Sequence, residues 1–213
     1  MKGIIMGAES VRAILDGRKT RHSFPVKPQP QEHSEVEIGM WSPTGIDKHG
    51  MAYPKPEVWG MSFESFGFGH IGVCPHYKVG EIVYVKETWK VAENVTVNSV
   101  APVLYKAECN SFALANIDNW KSPLFMPEWA SRIHLEITDI KAHRVQDITE
   151  EEAMAEGIRP MYTILPGECT GLTNDAVDEY ADLWDSLNAK RGYPWESNPW
   201  VFAYTFKVVE GKV

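Results

Sequence analysis

Hydrophobic and polar positions alternate most clearly in "GEIVYVKETWKV". There Ile82, Tyr84 and Lys86 interleave with Val83, Val85 and Glu87, the two-residue period of a strand with one wetter face. The same period runs through "SRIHLEITDIKAHRV", which predicts Ile133, Leu135 and Ile137 facing inward and His134, Glu136 and Thr138 outward. It returns in "NPWVFAYTFKVVE", where Trp200, Phe202, Tyr204 and Phe206 share one face, and "APVLYKAE" reads as a further short strand. Helical spacing governs three other stretches. "ESVRAILDGRKT" puts Val11, Ile14 and Leu15 on one face, with Ser10 as a plausible N-cap and Gly17 suited to the position past the helix end. "DITEEEAMAEGI" opens on a capping box, Thr149 with Glu152, and its acidic first turn complements the helix dipole. "NDAVDEYADLWDSLNAKRG" predicts the longest helix, with Val177, Tyr180, Ala181, Trp184 and Leu187 on one stripe and Gly192 as its stop.

Residues 28–72 keep neither period. They are rich in Pro, Gly, His and scattered aromatics, and read as a loop-rich insertion holding at most a short hairpin. "GMWSPTGIDKHGMAYPKPEVWGMSF" is its aromatic-bearing arm. The order of elements is helix, insertion, strands, two helices, strand, with no internal repeat. That order predicts a single α+β domain over residues 1–213, with a small curved sheet or barrel and helices outside it.

Charge narrows the range of functions. A formal net charge of −8 over 213 residues argues against sequence-blind duplex binding, which rests on many Lys/Arg–phosphate contacts. A compact basic pocket for one nucleotide remains compatible with it. The eight tryptophans supply aromatic surface for a core or for stacking on bases. "MKGIIMGAES" has too short an apolar run for a signal peptide, and no later stretch approaches transmembrane length. The expectation is a cytoplasmic protein with no membrane partner and with Cys74, Cys109 and Cys169 as reduced thiols. "CPH" at Cys74–His76, with His70 nearby, lacks the spacing of paired zinc ligands, so no metal and no cofactor are expected.

The candidate chemistry gathers at "GRKTRHSF", residues 17–24. A lysine in a partly desolvated cleft can serve as base or nucleophile, and Lys19 is the first candidate. The plainer role for Lys19 is a cation favoured at a helix C-terminus. Arg18, Arg21 and Lys27 are suited to phosphate contacts or to a solvated face. Trp89, Trp120, Trp195 and Trp200 are candidates for base stacking, Trp200 being the one placed for packing. In "YPWESNPW", Trp195 and Asn198 are placed for a cleft rim; Asn198 would read a base edge or make an ordinary turn.

Three stretches together resemble the ASCH family of the PUA-like superfamily, in the longer form seen in bacteriophage and prophage genomes. They are "ILDGRKT", "CPHYKVGEIVYVKETW" and "PLFMPEWASRIHLEITDIKAHRVQDITEEEAMAEGI", and the closing "LWDSLNAKRGYPWESNPWVFAYTFK" is similar too. The resemblance implies a PUA-like β-barrel flanked by helices, with a cleft for RNA or a modified nucleoside. Small members hydrolyse 4-N-acetylcytidine with a Lys, a Glu and the Thr of a Lys-x-x-Thr-x-Arg pattern; others act as ribonucleases. Laid on this chain, the lysine falls on Lys19 and the glutamate on Glu156, while His22 and Phe24 stand at the Thr and Arg positions. Thr20 follows the lysine by one residue and does not restore the pattern. The resemblance thus implies Lys19 as base or nucleophile, Glu156 as its acid partner, and His22 in the orienting place of the threonine hydroxyl. Three functions are compatible with these residues: recognition of RNA or a modified nucleoside, hydrolysis of 4-N-acylated cytidine, and a phage–host interaction module. In the last, residues 28–72 bind a protein partner and the cleft is vestigial.

Overall fold

The computed structural model of the protein describes all residues except 32–33, 42–43, 47–50, 55–57, 66–68, 92–102, 109–118, 160–161, 164–170, 173–174 and 210–213. Strand β1 (Lys2–Ile5) leads into helix α1 (Ala8–Leu15) and strand β2 (Arg21–Pro25). The insertion carries β3 (Val36–Trp41), β4 (Thr44–Ile46), β5 (Ala52–Pro54), β6 (Val58–Ser65) and β7 (Gly69–Val73). Then come β8 (Ile82–Lys86), β9 (Trp89–Val91), β10 (Val103–Tyr105), β11 (His134–Arg144) and α2 (Glu150–Ala155). The short pair β12 (Tyr162–Thr163) and β13 (Gly171–Leu172) precedes α3 (Ala176–Asn188) and β14 (Trp200–Val208).

The fold is α+β, mostly sheet with few helices. Its main sheet has five strands in the order β1-β8-β11-β14-β2, with β1 parallel to β8 and the other pairs antiparallel. The described strands form no closed barrel, because β1 and β2 remain its two edges. Both edge strands went unread in the sequence. Among the described residues no helix is long and apolar enough to cross a membrane.

One face of the sheet holds the larger core, where Ile4, Val83, Val85, Leu135, Ile137, Phe202, Tyr204 and Phe206 pack together with Val11 and Ile14 of α1. The inward set Ile133, Leu135 and Ile137 is as the alternation predicts. A bulge between Ile137 and Asp139 then shifts the phase, so that Ile140 and Ala142 pack inward further along β11. His134, expected outward, is buried beside Tyr84 of β8. β14 is buried on both faces over Val201–Tyr204, because α2 and α3 cover the second face. There Val201 joins Val145, Ile148, Ala153, Ala176, Tyr180 and Trp184 in a separate cluster.

The helices keep their sequence signals with local corrections. α2 has the capping box of Thr149 and Glu152 in full. α1 starts earlier than read: Gly7 is its N-cap and Ser10 lies inside, which turns Ala13 inward and leaves Leu15 exposed. In α3 Leu187 is exposed and Asn188 takes the buried position. Gly17 and Gly192 lie in the left-handed region past their helix ends, as placed.

The insertion is more ordered than its composition suggests. β3, β6 and β7 form an antiparallel sheet, with β4 and β5 as a further paired extension. Met61 and Phe63 are buried in the main core, and Trp59 packs against Phe202 at a centroid distance of 6.1 Å. A side chain at Gly72 would have to displace the Trp41 ring, because a Cβ there would stand 1.8 Å from it. The glycines that hide the strand period thus make room for an aromatic laid over bare backbone.

Candidate functional site

β2 lies beside β14, with His22 opposite Tyr204 and Phe24 opposite Phe202. The segment before it is stitched to the end of α2. Thr20 N donates to Ala155 O at 2.8 Å, and the Arg18 guanidinium donates to Gly157 O at 2.7 Å. Gly157 makes this approach possible: at φ +99° a Cβ would stand 3.0 Å from Ala13 Cβ and 3.2 Å from Lys19 Cβ.

Lys19 Nζ donates to Glu156 Oε2 at 2.7 Å and to Glu156 O at 2.6 Å, with the residues 2 % and 4 % exposed. The lysine is therefore both the cation at a helix C-terminus and the ion-pair partner of Glu156; the helix is α2. Ser23 Oγ donates to Glu156 Oε1 at 2.7 Å, so each carboxylate oxygen accepts one strong bond. His22 Nδ1 stands 3.6 Å from Glu156 Oε2, too far for a hydrogen bond but close enough to couple the two charges. Among the described residues, His22 Nε2 has no hydrogen-bond partner, and it is not among the buried unpartnered atoms. Phe24 presents its ring edge-on to the imidazole at a centroid distance of 4.5 Å.

The charges sort as the environment dictates. Burial alone would raise the Glu156 carboxyl, but the Lys19 ammonium and then His22 bring it down to about 2. Burial first, and the Lys19 charge second, lower the His22 pKa from 6.5, so the imidazole is neutral at pH 7. Tyr180, in the layer beneath, is raised well above its ordinary value by burial and then by the Glu156 charge.

Ser23 is the site residue that sequence reading missed. Lys19, Arg21 and Ser23 sit at alternate positions, and all three side chains reach α2. The signal that finds them is a strand period in "KTRHS", with Lys19, Arg21 and Ser23 on one face.

The remaining candidates fall elsewhere. Arg21 is buried and closed to a phosphate: its guanidinium pairs with Glu152 at 2.5 Å and donates to His143 Nε2 at 2.6 Å. That assignment makes His143 Nε2 the acceptor and its Nδ1 the donor to Arg144 O. Arg18 stays half-exposed, paired with Asp16. Together with Thr20, Glu151, Met154, Ile158 and Arg159 it lines an open cleft of about 650 Å³, to which the Lys19 and Glu156 side chains do not contribute. Trp89 is buried against Met126 and Ala130 and offers no face to a base. Trp195 packs edge-on to Tyr180 and its backbone N–H donates to Asp185. Asn198 takes a left-handed turn conformation, and its side-chain oxygen accepts from Gln146 N, which is the turn role and not the base-reading one. Lys27 lies over the Tyr193 ring, and Trp200 packs on the core beneath Arg144.

Among the described residues no group of three or more His, Cys, Asp or Glu is arranged to hold a metal ion. Cys74 is a free, exposed thiol, while Cys109, Cys169 and the His70 side chain lie outside the described residues. No family model, curated protein or solved structure matches the chain.

Proposed function

We propose that the protein recognises a modified nucleoside, free or carried in RNA, at the edge of β2 where His22 meets the buried Lys19–Glu156 pair. The observation that carries this reading is the state of His22: a neutral imidazole backed by a carboxylate at 3.6 Å, with Nε2 free of a hydrogen-bond partner among the described residues. Such a nitrogen can accept from, or donate to, the edge of a base or an acyl carbonyl. The resemblance of "ILDGRKT" and its companion stretches to the ASCH family supplies the ligand class, and a PUA-like arrangement of the sheet goes with it.

Hydrolysis of 4-N-acylated cytidine is the second reading, favoured by the same dyad. Glu156 favours the tautomer with hydrogen on Nδ1, which leaves the Nε2 lone pair as a base. Nε2 takes a proton from water, and the hydroxide adds to the acyl carbon. The bond from that carbon to the exocyclic nitrogen then breaks, and the departing amine receives the proton from the imidazolium. Lys19, sealed behind Glu156, holds the carboxylate in place without touching substrate.

The test is incubation with 4-N-acetylcytidine, followed by calorimetry for binding and mass spectrometry for cytidine. Binding lost in His22→Ala supports recognition; cytidine that depends on His22 supports hydrolysis. Binding or turnover unchanged in His22→Ala removes the site from both readings. His22→Thr/Phe24→Arg, which restores the family pattern, should gain turnover if the cleft is that of the hydrolytic members.

A further inference from the structure

A second surface stands out on the segment between Asn119 and Arg132. Leu124, Phe125 and Trp129 are 60 %, 74 % and 65 % exposed, although all three are large and apolar. They do not dangle. Two single-turn helices, Pro123–Phe125 and Glu128–Ala130, carry them, and Met126 and Ala130 anchor the turns on buried Trp89. Ser122 caps the first turn, and Lys121 and Trp89 exchange both backbone hydrogen bonds, at 2.9 and 3.3 Å. Trp129 meets Trp89 edge-on at a centroid distance of 6.0 Å.

Two ammonium groups border these side chains. Lys86 Nζ donates to Leu124 O at 2.7 Å, and Lys121 Nζ lies 5.0 Å from the Trp89 ring centroid. Neither pairs with a carboxylate among the described residues. The nearby Glu128 carboxylate is taken up 3.0 Å from the Met1 amino nitrogen. The patch is thus locally cationic on a chain of net charge −8.

We infer that this patch holds single-stranded RNA, with bases stacking on Trp129 and Phe125 and phosphates near Lys86 and Lys121. This rests on the RNA side of the function proposed above, and it places nucleotides at a surface separate from the His22 site. Pre-set aromatic platforms beside lysines are what sequence-tolerant strand binding requires, since every base has a face to stack. An apolar protein partner would bury two ammonium groups without a counter-charge. An anionic membrane would meet the charge of the whole chain, whereas a short strand touches few phosphates.

The experiment is fluorescence anisotropy with a short labelled oligouridylate, at low and at physiological salt. Trp129→Ala should weaken binding by roughly tenfold, with Phe125→Ala close behind and Trp129→Phe largely retaining affinity. Lys121→Gln should reduce the salt slope by about one. Trp129 is solvent-exposed, so thermal melts of these variants should match the parent. Unchanged affinity in Trp129→Ala, or no binding of the oligonucleotide, overturns the inference. So does Trp129-dependent attachment to phosphatidylserine vesicles, or a Trp129-dependent dimer that ignores RNA. His22→Ala separates the two sites: loss of 4-N-acetylcytidine binding with oligouridylate binding intact supports both, unchanged binding of both ligands counts against the His22 site alone, and loss of oligouridylate binding overturns the separate surface.

Discussion

Two of the ion pairs with a buried carboxylate are built to different ends. Arg132 reaches Glu87 with two guanidinium nitrogens, at 2.9 and 3.1 Å, extends a third to Glu108, and lays its plane 4.0 Å from the Tyr105 ring. Three nitrogens and one face of that guanidinium are engaged, and the result fastens β10 and its following turn to the end of β8. The Lys19–Glu156 pair is buried more deeply, yet it is ringed by polar groups beyond its own two charges: the Ser23 hydroxyl, the neutral His22 imidazole and the Tyr180 phenol. Burying a charge is therefore no sign of function by itself. What separates the two regions, among the described residues, is the imidazole nitrogen without a hydrogen-bond partner that stands beside the second pair.

The strongest way to break this comparison is to remove one partner of each pair. Lys19→Met leaves Glu156 buried alone and should cost about 3–5 kcal/mol in urea unfolding, with Arg132→Met somewhat less because Arg132 lies nearer solvent. Replacing both partners by apolar residues should recover most of either loss. The double variant Glu87→Leu/Arg132→Met should then still bind nucleoside, and Lys19→Met/Glu156→Leu should not. If both doubles bind, the second pair is a fastener as well.

Ser23→Ala removes one bond to a buried carboxylate and should cost about 1.5–3 kcal/mol in the same assay. Acid sensitivity sharpens the contrast further. Glu156 is held at about 2 against an ordinary 4.5, so its contribution is complete above pH 4.5 and is lost as the pH falls toward 2. His22, lowered from 6.5, is protonated more readily in the unfolded chain; its share is present above pH 6.5 and is lost as the pH falls below that. Urea midpoints measured down the acid limb should flatten in Glu156→Gln. His22→Ala is the smallest change in stability, under about 1 kcal/mol, and the one that should most reduce nucleoside binding at constant fold.

The legible parts of the sequence are those whose reasons are local. The capping box at Thr149 and Glu152 and the inward alternation of Ile133, Leu135 and Ile137 need only neighbours a few residues away. Lys19 and Glu156 were named through a family resemblance; their hydrogen bond closes across 137 positions of the chain. β2 was hidden because its inward residues, Lys19 before it and Arg21 and Ser23 within it, are polar and face the carboxylates of α2 instead of an apolar core. The insertion sheet was hidden because Gly60 and Gly72 interrupt its period, the first to admit the Val73 carbonyl and the second to admit Trp41. Side-chain pattern alone thus determined which helices and central strands exist. Tertiary packing decided that β14 is covered on both faces, that Arg21 and Trp89 are closed to any ligand, and that His22 stands beside the buried Lys19–Glu156 pair. The physical reason is that burial and charge pairing belong to the partner that arrives from elsewhere in the chain, and a residue cannot announce that partner by its own type.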